Sequence, residues 1–187
     1  MHIFIMRHGE AANIEAEDSL RPLTEQGIIE TEKMGFWLAR RKQTRLIKIF
    51  ASPYLRAQQS CANVIATIQK TLLSNENTFA NKKMISNEII PETLDFITPS
   101  GNAHQAHDFI DGLFQNIDAL NKVNSSDENE AILLVSHMPF VSYLVGELTG
   151  SLNMPIFSTG AVAIIDYDIE KMQGQLIDMV SPEKINI

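Results

Sequence analysis

Cysteine is nearly absent from this chain of 187 residues, where Cys61 stands alone. A lone cysteine excludes an internal disulfide and fits a reducing compartment. Long hydrophobic runs are missing too. Without a stretch of about 18 apolar residues, no membrane-spanning helix is expected. The apolar run near the N-terminus covers only about five residues and follows no basic stretch, unlike a signal peptide. The expected location is therefore cytoplasmic, with no membrane partner. Basic residues are scarce, with Lys and Arg numbering 15 against 23 Asp and Glu, for a net charge of −8. That balance argues against the broad basic footprint of nonspecific nucleic-acid binding, so no nucleic-acid partner is expected. In so acidic a chain an anion site must concentrate a few cations locally, and individual arginines gain importance. Internal repeats are lacking, as is any shift in composition that would mark a boundary. The apolar share of 44% and charged share of 20% are ordinary for a globular protein. One domain spanning residues 1–187 is expected.

What is present is an alternation of short apolar runs with longer amphipathic stretches. Residues 2–6 (HIFIM) read as a buried strand that ends abruptly in Arg7-His8-Gly9-Glu10. Residues 11–23 are polar and acidic, with Pro22 as a breaker. Thr24 and Glu25 suit the start of a helix running to about Lys42, with Ile28, Ile29, Met34, Trp37 and Leu38 towards the core. A second strand is expected at 46–51, a turn at Ser52-Pro53, and a helix at 54–73. Residues 74–83 read as a loop, 84–90 as a short strand ended by Pro91, and 92–103 as irregular. A helix follows at 103–123, then a solvated linker at 124–130 and the clearest buried strand at 131–135. A helix at 139–149 starts on its proline. Strands at 161–167 and 174–180 close the chain around the turn at 171–174. This order predicts an α/β fold, a three-layer α/β/α sandwich with a mostly parallel central sheet and an antiparallel edge.

Three segments share one layout, a short apolar strand followed by a polar cluster and a turn: HIFIM-RHGE, IFAS-PYLR and LLVS-HMPF. Ligands of α/β sheets sit beyond the carboxyl ends of the strands. If these strands are parallel neighbours, Arg7, His8, Arg56 and His137 converge. Two guanidinium forks and two imidazoles suit a phosphoryl group, because arginine grips its oxygens in pairs and histidine exchanges protons near neutrality. Taken singly, each residue has a plainer reading. Arg7-His8 is also an ordinary charged strand end, Arg56 a helix-surface arginine, and His137 a structural histidine. Arg21 either lines the pocket or pairs on the surface with Glu17 or Asp18. His104 and His107, at i and i+3 on a helix, could bind a metal, but no third ligand is evident and a solvated face is expected. Cys61 reads as core. Ser136 has no G-x-S-x-G elbow around it and is not a triad serine.

The ordered motifs resemble those of the histidine phosphatase superfamily, with its phosphoglycerate mutase-like fold. Arg7-His8-Gly9 resembles the R-H-G signature, Ser52-Pro53-Tyr54-Leu55-Arg56-Ala57 the S-P-x-x-R-A motif, and Ser136-His137-Met138-Pro139 the late S-H-x-P motif. Arg21-Pro22-Leu23-Thr24 with Gly27 resembles the R-P-L-T-x-x-G stretch. Thr98-Pro99-Ser100-Gly101 resembles an element of the small bacterial SixA-type phosphohistidine phosphatases.

The resemblance implies a phosphatase with His8 as nucleophile and a phosphohistidine intermediate. Arg7, Arg56 and His137 would bind the equatorial oxygens, Arg21 would contribute to substrate binding, and no metal or other cofactor would be needed. The acid that protonates the leaving group would be Glu92, Asp95 or neither. An imidazole leaves far more readily than an alkoxide, so a weak or missing acid favours phosphohistidine over phosphoesters. The expected substrate is a phosphorylated signalling protein, such as a histidine-phosphotransfer domain. The alternatives are a phosphatase or mutase for small phosphorylated metabolites, and a non-catalytic phosphate-binding module.

Overall fold

A computed structural model describes residues 1–13, 17–41, 44–74, 90–121 and 129–186. Its centre is β1 (His2–Arg7), whose four inner residues are all buried. Side chains alternate along a strand, so Phe4 and Met6 enter one core and Ile3 and Ile5 the other. A strand apolar on both faces belongs in the middle of a covered sheet. On one side β1 pairs in parallel with β4 (Asn129–Ser136), and on the other antiparallel with β5 (Val162–Asp168). The six-stranded sheet continues to β2 (Thr44–Ala51), β3 (Glu92–Thr93) and β6 (Gln173–Val180), in the order β3-β2-β4-β1-β5-β6. The three pairings from β3 to β1 are parallel, and the two involving β5 are antiparallel.

Helices α1 (Glu25–Ala39) and α2 (Leu55–Ser74) cover one face through Met34, Leu38, Ala57, Val64 and Ile68. Helices α3 (Ala103–Asn121) and α4 (Phe140–Thr149) cover the other through Ile110, Phe114, Val141 and Leu144. This is the three-layer sandwich expected from the alternation of elements. Among the described residues, no helix is long and apolar enough to cross a membrane.

The register decides where the site lies. Arg7 of β1 pairs with Ser136 of β4, and Val135 of β4 pairs with Ala51 of β2. Three parallel strands therefore end level. The next residues, His8, Ser52 and His137, leave the same edge of the sheet, and the backbone bonds His8 N to Ser136 O (2.9 Å) and Ser52 N to Val135 O (3.0 Å) extend the ladder one step beyond it.

Most elements match the expected boundaries within three residues, and the differences have identifiable causes. Ile28 and Ile29 are 41% and 46% exposed, against the expectation that they face the core. The buried face of α1 runs instead through Gly27, Thr31, Met34, Gly35 and Leu38, a helical row in which two glycines stand where bulk was expected. A Cβ on Gly27 would lie 2.1 Å from the Glu10 carbonyl oxygen, and one on Gly35 would lie 2.8 Å from Thr67 Cβ. The helix packs backbone-close, so its contact face is marked by small residues rather than large apolar ones. The stretch expected to be irregular contributes β3, whose two residues pair with Phe50 and Ala51. Asn129 and Glu130, read as linker, belong to β4. The short strand expected at 84–90 falls almost wholly outside the described residues, as do 75–83 of the expected loop and 124–128 of the linker.

Candidate active site

His8 is 8% exposed and held from three sides. Its N–H donates to Ser136 O, its carbonyl accepts from Gly160 N at 3.0 Å, and Nδ1 lies 2.6 Å from Gly9 O. A carbonyl oxygen only accepts, so Nδ1 carries the proton and Nε2 keeps its lone pair. Arg56 Nε donates to that lone pair at 3.2 Å. The loop around His8 is fixed as well. Gly9 N donates to Ser60 Oγ at 3.0 Å, and Glu10 N donates to the buried Glu30 carboxylate at 2.8 Å. Thr159 Oγ1 donates to the other oxygen of Glu30 at 2.9 Å, tying the loop after β1 to the loop before β5.

Arg7 closes β1. Its Nη1 donates to Phe157 O at 2.7 Å, while its buried Nε has no partner among the described residues. His137, 1% exposed, stacks obliquely beside His8 with ring centroids 4.9 Å apart. Its Nε2 lies 2.8 Å from Ser52 Oγ, and its buried Nδ1 also lacks a partner among the described residues. Buried polar atoms in native proteins are almost always paired. Arg7 Nε and His137 Nδ1 are two exceptions among the described residues, and both belong to neighbours of His8.

Arg56, from the first turn of α2, is 4% exposed and packs over the Tyr54 ring. Its Nη1 and Nη2 donate to the backbone oxygen and the carboxylate of Asp18, the latter at 2.9 Å. Asp18 begins a short 3-10 turn (Asp18–Leu20), and its other carboxylate oxygen accepts from Arg21 Nη1 at 2.9 Å. Arg21 is anchored in turn on Ala12 O (2.6 Å) and on the Asn13 side chain. The structure thus brings Arg7, His8, Arg56 and His137 together and sets Arg21 one residue back, reaching the group through Asp18.

Glu92, on the outer strand β3, is exposed and paired with Lys48 of β2. Asp95 is exposed in the turn after it. Of the helical histidines, His104 is exposed and lies 2.9 Å from Glu147. His107 departs from the expected solvated face. It is largely covered, with Nε2 2.7 Å from the Tyr167 hydroxyl, because β5 runs beneath that part of α3. Cys61 is buried in the core, and burial pushes its thiol up to about 12. Asp18 was named from sequence only as a surface partner of Arg21, a pairing that the structure contains, while Glu30, Ser52 and Ser60 were not singled out. Of these three, Ser52 had a signal, its place at the head of the S-P-x-x-R motif.

Electrostatics favours the neutral form of His8. Burial lowers its pKa to about 4, the charges of Arg56, Arg7 and Arg21 push the same way, and the bond to Gly9 O opposes them only partly. His137 is driven down too, by burial first and then by His8 and Arg56. In the unfolded chain a histidine titrates near 6.5, so below that pH the unfolded state binds protons that the folded state refuses. The stabilising contribution is complete above about pH 6.5 and is lost as the pH falls towards 4. The slope reaches at most about 1.4 kcal/mol per pH unit for His8 alone. Melting temperatures of the wild type and of His8→Asn between pH 7.5 and 4.5 check this. The variant is expected to show the flatter acid limb.

The arrangement supplies an uncharged imidazole nitrogen with a directed lone pair and a ring of cationic and neutral donors, which is the equipment of phosphoryl transfer. Residues 3–79 match the model of the histidine phosphatase superfamily (branch 1). The phosphohistidine phosphatase SixA of Escherichia coli (strain K12) is 32% identical over 182 residues, covering 97% of this chain and 94% of the relative. A SixA homolog of Haemophilus influenzae is 33% identical over 178 residues, with 92% of each covered. Among solved structures, the protein histidine phosphatase SixA complexed with tungstate aligns with a TM-score of 0.74 at 30% identity, over 97% of both chains. On this identity across nearly the whole length of both relatives, the chain belongs to the histidine phosphatase superfamily.

Proposed function

We propose that the protein is a metal-independent phosphohistidine phosphatase in which His8 is the nucleophile. The observation that carries the reading is the fixed tautomer of His8. With the proton on Nδ1 held by Gly9 O, only Nε2 can attack. In the first step His8 Nε2 forms a bond to phosphorus while the bond between phosphorus and the substrate imidazole breaks, and the departing imidazole takes its proton from solvent. In the second, water attacks phospho-His8, restoring the imidazole and releasing phosphate. In this reading the Nε–H of Arg7, the guanidinium of Arg56 and Nδ1 of His137 donate to the equatorial oxygens as charge spreads over them. Arg21 supports binding from behind Asp18.

The choice of substrate rests on the leaving group. Neither Glu92 nor Asp95 contacts the four central residues among the described groups. The carboxylate that does reach them, Asp18, is ionised near neutrality. Its partial burial favours protonation, but the bonds from Arg21 and Arg56 outweigh that and hold its pKa below the usual carboxylate range. A pocket whose carboxylate in contact with Arg56 stays ionised suits an imidazole leaving group, which needs little help, over an alkoxide. The names of the relatives point the same way. A phosphorylated protein, such as a histidine-phosphotransfer domain of a cytoplasmic relay, is the proposed physiological partner. Side-by-side assays on a phosphorylated histidine domain, a phosphoserine peptide and phosphoglycerate test this. The expected order puts kcat/KM for the histidine domain at least about 100-fold above the others, the scale of one general-acid contribution. Turnover of phosphoglycerate alone would instead establish the metabolite phosphatase.

A further inference from the structure

The bonds of Arg56 are committed in an unusual way for a residue meant to grip substrate. Nε–H points at His8 Nε2, the lone pair that attack requires. Nη1 and Nη2 are both held by Asp18, through its backbone oxygen and its carboxylate. The second carboxylate oxygen of Asp18 is taken by Arg21. A carboxylate shared between two guanidinium groups presents the same pair of acceptor oxygens that a phosphoryl group would present. The two partners also differ in freedom. The Arg56 side chain is 5% exposed and that of Asp18 is 53% exposed, so the aspartate is the member with room to move into solvent.

We propose that Asp18 is an internal rival of the phosphoryl group. In the resting protein it holds Arg56 across the His8 lone pair. A phosphorylated substrate displaces the carboxylate from Arg56 and frees Nε2. Asp18 stays beside the pocket throughout, and its charge weakens the hold on the phosphate left after hydrolysis. The residue thereby sets how well the enzyme discriminates between substrate, whose protein surface adds binding energy, and free phosphate, which has only its charge to offer.

This inference rests on the reading of the pocket as a phosphoryl site, and the probes separate the two. Calorimetric titration of the wild type and of Asp18→Asn with orthophosphate and with tungstate is the experiment. Asparagine keeps the size and one acceptor oxygen but removes the charge. Asp18→Asn is expected to bind both oxyanions about tenfold tighter, the scale of one unit charge a few ångströms away in a partly solvated site. Inhibition of turnover by orthophosphate should tighten in parallel. Asp18→Ala, monitored by its melting curve, should shift in the same direction. Affinities within twofold of wild type, or weaker, would make Asp18 an orienting support for Arg56 and overturn the proposal. Failure of either oxyanion to bind any of the three proteins would remove the phosphoryl-site reading itself, and the rivalry with it.

Discussion

Replacing His8 with alanine is expected to abolish both turnover and the phosphoenzyme. Loss of a covalent nucleophile with its supporting geometry intact typically costs about 10⁴-fold or more in kcat, and here the neighbour cannot simply substitute. His137 also has a free nitrogen, but its ring is tied to Ser52 Oγ through Nε2 and is buried against Tyr54. Its Nδ1 is better placed to donate to the phosphoryl group than to attack it. The variant should fold, because among the described residues the ring of His8 hydrogen-bonds only to Gly9 O and Arg56, while its backbone bonds to Ser136 and Gly160 survive. Rapid-quench labelling with phosphorylated substrate, alongside circular dichroism, gives the answer. A phosphoenzyme that persists in His8→Ala would move the nucleophile to another residue.

The second large effect is expected at Arg7. Its Nη1 bond to Phe157 O aims the guanidinium, and its buried Nε–H is left with nothing to bond among the described residues. A preorganised donor kept unpaired in the resting state contributes most when charge develops in the transition state. Arg7→Ala should lower kcat by about 10³-fold, between the loss of one oxyanion-hole donor and that of a transition-state arginine. Arg7→Lys should recover little of this, since a lysine cannot reproduce the fork while also reaching Phe157 O. Steady-state kinetics that separate kcat from KM check it. A change confined to KM would show that Arg7 binds ground state and transition state alike.

The sequence carried the chemistry further than it carried the packing around it. The convergence of Arg7, His8, Arg56 and His137 was legible because each lies shortly beyond a short apolar run, and a strand buried on both faces that ends in charge leaves those charges at the sheet's edge. The supporting residues were not legible in the same way. Asp18 pairs with Arg21 at an ordinary local spacing, and only the fold shows that its other oxygen meets Arg56, 38 positions along the chain. Glu30 reads as the polar side of an amphipathic helix, yet it is buried because Gly27 lets α1 approach the loop at Glu10 closely enough for the carboxylate to accept from its backbone. The same close approach misdirected the reading of Ile28 and Ile29. A two-residue strand such as β3 has too little length for any periodicity to register, and it exists only because β2 offers an open edge.

The central strands also constrain when the protein can acquire activity. Although β1 and β2 are the first two strands made, they do not touch. The gap between them is filled by β4, which begins about 80 residues after β2 ends, and Arg7 waits further still for Phe157. A growing chain therefore holds His8, the proposed nucleophile, before it has the neighbours that keep it neutral and aimed. Contacts of such long sequence separation make for slow, late-committing folding. The proposed catalytic group is thus assembled by completion of the sheet, and under that proposal competence to handle phosphate arrives together with the tertiary structure rather than ahead of it.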